Sequence, residues 1–156
     1  MRRSLALILL LVAAPAVAQE PTPLRWTAHE AIPSRISDVL VGTNLALDGW
    51  YAFRAEDHRE RWAFACRAGV TYAVAEGLKR LVRRERPNGH DDKEFPSQHS
   101  AFAAASAGYR APLGASFALA VAWGRQAGGW HFPTSTAFGL GLGWGTLRLC
   151  DKAVIR

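Results

Sequence analysis

From residue 34 onward the apolar positions fall at mostly helical spacing. Ile36, Leu40, Val41, Leu45 and Leu47 recur over 34–53 at steps that gather on one helix face. Ser34, just after Pro33, stands where a helix N-cap is expected. Asp38, Asn44 and Asp48 interrupt the apolar run and make it a poor bilayer span. Residues 54–61 (RAEDHRER) form a charged break that marks a turn or a helix start. Glu56 and Asp57 suit a first helical turn there, and His58 is expected to be solvated. Phe64, Cys66, Val70, Tyr72, Val74, Leu78, Leu81 and Val82 then predict a second long helix over 62–85, ended by Pro87.

Residues 97–109 are rich in alanine and other small residues and predict a closely packed helix. A further apolar helix is expected over 113–123, and Gly128-Gly129 marks a break within 126–130. Pro133 opens the last element. Its run FGLGLGWGTLRL (138–149) alternates glycine with apolar residues, a strand-like period. Four glycines inside a helix cost about 1 kcal/mol each. No partner strand is evident elsewhere, however, and small residues let helices approach closely, so a helix is expected. The fold class is therefore all-α, a bundle of about five or six helices in one domain over 34–156. A polar lead-in over 19–33 precedes it. Residues 1–18 read as a signal peptide: Arg2 and Arg3, an apolar run over 5–12, and Ala16-Val17-Ala18 as the cleavage site.

Charge narrows the function. The formal net charge is +6, and without Arg2 and Arg3 it is +4. Residues 79–86 alone carry five basic residues and one acidic one, also +4. The excess positive charge thus concentrates in one stretch, which points to a focused anion site rather than a generally basic surface. No nucleic-acid-binding motif accompanies it. Cys66 and Cys150 allow one disulfide or two buried thiols, and neither suggests catalysis. The charge-free stretches 111–124 and 126–147 leave membrane character open: the first is short of a span, and the second contains His131, Pro133 and hydroxyl residues.

The basic stretch leads into candidate chemistry. Lys79 and Arg86 are seven apart, so on one helix they would share a face. Ser97 is a plausible N-cap whose helix would offer the N–H groups of Gln98, His99 and Ser100 to an anion. The loop between holds His90, Asp91, Asp92 and Glu94. This set could bind a metal but reads better as a plain turn. Taken separately, these are a solvated basic face, a helix-start histidine and a loop. Downstream, Arg125, His131 and Ser135 add a further cation, histidine and hydroxyl.

In order, the chain reads Lys79-x6-Arg86-Pro87, then Pro96-Ser97-Gln98-His99, then Arg125-x5-His131-x3-Ser135. This resembles the three-part signature of the phosphatidic acid phosphatase type 2 superfamily, which also includes bacterial acid phosphatases and vanadium haloperoxidases. The likeness covers roughly residues 37–148. Three positions depart from the pattern: Gln98 replaces glycine, Gly124 replaces the serine before the arginine, and Ser135 replaces aspartate.

The resemblance implies metal-independent hydrolysis of phosphate monoesters or diphosphates without a cofactor. It assigns His131 as the nucleophile that forms a phosphohistidine and His99 as general acid and then base. Lys79, Arg86, Ser97, Gln98 and Arg125 would bind the phosphate. Ser135, one turn after His131, can accept its hydrogen bond but brings no charge. The expectation is therefore a weakened enzyme that Ser135→Asp would speed up, with Thr134, Thr136 or Asp151 as candidate compensators. The expected substrate is a lipid phosphate, phosphatidate-like or an isoprenyl diphosphate. The site would lie at one end of the bundle, in a protein exported to the periplasm or the periplasmic face of the inner membrane. Three alternatives share the fold: a non-catalytic phosphate or lipid-headgroup binder, a soluble periplasmic acid phosphatase of broad specificity, and a vanadium haloperoxidase, for which the chain is short.

Overall fold

Helix α1 (Ala28–Arg54) begins six residues before Ser34 and takes in the end of the expected lead-in. Pro33 lies in its second turn, where the missing N–H forfeits a single backbone bond. Ser34 is consequently not a cap. It is buried inside the helix, where its carbonyl accepts from Ser37 Oγ at 2.6 Å. The chain, a computed structural model, is described over residues 28–108 and 112–154. The expected signal peptide lies outside the described residues. Those residues hold four more helices: α2 (His58–Val82), α3 (Gln98–Ala105), α4 (Leu113–Ala127) and α5 (Pro133–Val154). Their one β contact is an isolated bridge between Arg84 and Lys93. The class is all-α.

Helix α2 differs from expectation at both ends. Asp57 caps it by accepting from Arg59 N, so the charged break is itself the helix start. At the other end Arg83 takes a left-handed conformation (φ 41°) and stops the helix before Arg84. The expectation that Lys79 and Arg86 share one helix face is therefore overturned. Lys79 occupies the last turn of α2, and Arg86 lies in the following loop, its N–H bonded to the Asp91 carbonyl.

The glycine run at the C-terminal end forms a helix because two of its glycines meet a neighbour. A Cβ on Gly139 would fall 2.4 Å from the Ser97 carbonyl, and one on Gly143 would fall 2.0 Å from that of Ala101. Residues 139 and 143 thus form the seam along which α3 lies on α5, whereas Gly141 and Gly145 face open space. Gly124 has the same role between α4 and α1: a Cβ there would lie 2.7 Å from the Pro33 carbonyl. Val41, Ala103, Ala104, Ala118 and Val121 make a small core between α1, α3 and α4, and Asn44 donates to the Ala103 carbonyl across it at 2.9 Å. A disulfide between Cys66 and Cys150 ties α2 to α5. Among the described residues no helix is long and apolar enough to cross a membrane.

Candidate functional site

One end of the bundle collects the last turns of α2 and α4 and the first turns of α3 and α5. Lys79 ends α2, Arg125 ends α4, His99 begins α3 and Ser135 begins α5. The loop after α2 adds Arg86, and the turn after α4 adds His131. That turn is tight: the Arg125 carbonyl accepts from both Trp130 N and His131 N, and Gly129 supplies the positive φ of 65° that the reversal needs. Trp130 meets two guanidinium groups, with Arg86 at 5.0 Å and Arg125 at 4.9 Å from the ring centroid. Both cations are thereby tied to the same ring next to His131.

His131 is buried with its two nitrogens in different surroundings. Nε2 lies 3.4 Å from Arg86 Nη1, and Nδ1 lies 3.5 Å from Glu94 Oε1. A carboxylate at Nδ1 favours the tautomer protonated there, which leaves the Nε2 lone pair facing the cations. Glu94 is fully buried and well held: Oε1 accepts from Phe132 N at 2.8 Å and Oε2 accepts from Ser135 Oγ at 2.7 Å. Arg84 Nε stands 3.4 Å from Oε2. Burial alone would raise the Glu94 pKa, but these bonds, His131 and Ser135 first, hold it below the usual carboxylate range.

The expected residues divide into groups. Lys79 and Arg86 are buried; Lys79 donates to the Lys93 carbonyl at 3.2 Å, and Arg86 pairs with Asp91. Arg125 is buried and donates from Nη1 to Asp38 Oδ1 at 2.8 Å. His99 Nε2 meets the same oxygen at 3.1 Å. Ser97 is turned inward as the cap of α3, bonded to Ser100 Oγ and Ser100 N, while Gln98 is half-buried. Ser135 does not accept from His131; it donates to Glu94. None of the expected compensators approaches His131. Thr134 accepts from Arg84, Thr136 from Gln126, and Asp151 pairs with Arg67.

Sequence reasoning missed Glu94, Asp38 and Trp130. Glu94 was read as part of a turn. The signal available was that Phe95 and Pro96 follow it directly, which places this acid at the buried end of the loop. Among the described residues no three His, Cys, Asp or Glu side chains gather as metal ligands.

The electrostatics reflect an excess of cations. Burial, followed by the charges of Arg125, His131, Lys79 and Arg86, pushes the His99 pKa down to about 3. Burial lowers His131 to about 4, with Glu94 opposing and Arg86 and Arg125 adding to the effect. Burial and Arg86 lower Lys79 to about 8. A cluster of desolvated cations beside two neutral histidines favours an anion. Searches of family models, curated proteins and solved structures find no match to this chain.

Proposed function

We propose that this protein is a metal-independent phosphatase of the phosphatidic acid phosphatase type 2 kind, acting through a phosphohistidine. The observation that carries the reading is the buried Glu94 beside His131 Nδ1. It supplies from the loop the carboxylate that position 135 lacks. His131 Nε2 attacks phosphorus, and the bond from phosphorus to the leaving oxygen breaks. His99 gives that oxygen its proton. Water then attacks the phosphohistidine and returns a proton to His99, so ester and water become alcohol and phosphate. Lys79, Arg86 and Arg125 offset the charge on the phosphoryl oxygens. Burial and the neighbouring cations together depress His99, and a phosphate dianion offsets the cationic part, which favours the proton that His99 must donate.

A lipid phosphate suits the surface. Trp50 and Trp144 are exposed, and each lies beside an arginine, Arg54 at 4.6 Å and Arg148 at 5.3 Å, as interfacial side chains do. The Cys66–Cys150 disulfide fits an oxidising, exported setting.

The test is hydrolysis of an aryl phosphate and a short-chain phosphatidate with chelator present. Wild type is expected to turn over, and His131→Ala to lose about 10³-fold or more. Vanadate binding without turnover by the wild type would replace the hydrolase with a phosphate-binding role.

A further inference from the structure

Asp38 belongs to none of the motifs, yet it reaches the centre of the site. Its Oδ1 is where Arg125 Nη1 (2.8 Å) and His99 Nε2 (3.1 Å) converge. The approach is built into the packing. Gly124 lets the α1 backbone at Pro33 come against α4 beside Arg125, and Asp38 follows slightly more than one turn later. Arg125 is nearly withdrawn from water, with a side-chain exposure of 6%, His99 is partly open at 36%, and Asp38 is the most exposed of the three at 52%. The acid therefore enters from the solvent side and can swing back to it. Two donors fixed on one oxygen are also what the leaving oxygen of a phosphate ester would meet, given His99 as the proton donor.

We propose that Asp38 is a specificity-determining residue of the phosphate site: its carboxylate holds the oxygen position between Arg125 and His99, yields it to an arriving phosphate, and then stands at the mouth beside the leaving group. A carboxylate and a phosphoryl oxygen cannot share these donors, so Asp38 competes with every anion that enters. Once displaced it repels a leaving group that departs as an anion, and it tolerates a neutral alcohol or attracts a cationic one. The site therefore selects monoesters over diphosphates. The inference rests on the phosphatase reading above.

The experiment measures inhibition by inorganic phosphate, and kcat/KM for an aryl phosphate and for pyrophosphate, on the full chain as wild type, Asp38→Asn and Asp38→Ala. Calorimetry reads phosphate binding in parallel, and thermal melts confirm that each variant is folded. Both variants are expected to bind phosphate at least about fivefold more tightly and to shift the pyrophosphate-to-monoester ratio upward by a similar factor. Unchanged binding and an unchanged ratio in both variants would overturn the proposal while leaving the phosphatase reading intact. A lower kcat with unchanged phosphate affinity would also overturn it and make Asp38 a positioning residue for His99. Failure of wild type and both variants alike to bind phosphate or turn over would remove the phosphatase reading itself, and this inference with it.

Discussion

Between α1, α2 and α5 the chain buries Arg67 against the equally buried Asp48 at 2.9 Å, with the part-exposed Asp151 at 2.9 Å on its other side. At the other polar centre it buries Lys79, Arg86 and Arg125 around His131 and Glu94. The first cluster pairs its cation directly with carboxylates on neighbouring helices. In the second, Lys79 meets a carbonyl, and Arg86 and Arg125 are paired with acids that reach out to solvent, Asp91 and Asp38. Its one fully buried acid, Glu94, is turned toward His131. The first arrangement holds helices together. The second pairs two of its cations with acids open to solvent, which an arriving anion could displace. Buried charge is thus a sign of function here only where its partners are displaceable or missing.

Substitutions at the two centres should therefore act in opposite ways. Arg67→Met leaves Asp48 buried beside no cation and is expected to cost about 3–5 kcal/mol of stability, read as a lower denaturant midpoint, with phosphate affinity unchanged in the folded fraction. Burial already lifts Asp48 to about 6 even with Arg67 in place, which shows how exposed to that loss it is. Lys79→Met should do the reverse. It removes a cation whose charging the fold opposes, so stability is expected to rise by about 1 kcal/mol while phosphate binding weakens by about tenfold or more. If both variants shift stability in the same direction, the contrast between the clusters fails.

A smaller and subtler effect concerns pH. His131 has a folded pKa of about 4 against an ordinary 6.5. Between those values the unfolded chain binds a proton that the folded chain does not. Stability is therefore unaffected by this group above 6.5, where both states are neutral, and is progressively lost as pH drops from 6.5 toward 4. In the proposed reaction, where His131 is the nucleophile, the same shift keeps Nε2 unprotonated well below neutrality. Ring nitrogen chemical shifts of the free protein are expected to titrate near 4, and a midpoint near 6.5 would show that His131 is neither buried nor set among cations.

Much of the fold was legible because helical apolar spacing survives in 34–53, 62–82 and 113–123, and because Gly128-Gly129 is a strong stop. The helix ends were not. Arg83 ends α2 in a left-handed conformation that arginine rarely adopts, and α1 runs back through a proline, so local rules gave way to tertiary packing at both places. The glycine run resolved as a helix for the reason its small residues suggested, although only Gly139 and Gly143 make the close contacts. At the candidate site, spacing marked out Lys79, Arg86, His99, Arg125 and His131. It could not show Glu94 or Asp38, because each reaches its histidine through space: Glu94 is 37 positions before His131, and Asp38 is 61 positions before His99. An orienting acid has only to meet a nitrogen in space, and the chain can supply it from any segment.

That substitution is the centre of the account and can be tested by moving the acid. Ser135→Asp alone places a second carboxylate against the buried Glu94, so the geometry reverses the earlier expectation: this variant should be slower and less stable than wild type. The decisive measurement is kcat on an aryl phosphate for Glu94→Gln and for the double variant Glu94→Gln with Ser135→Asp. Loss of about 10²–10⁴-fold in the single variant, with recovery of at least about tenfold in the double, is the predicted result. Wild-type turnover in Glu94→Gln would contradict it and leave His131 without the partner assigned here.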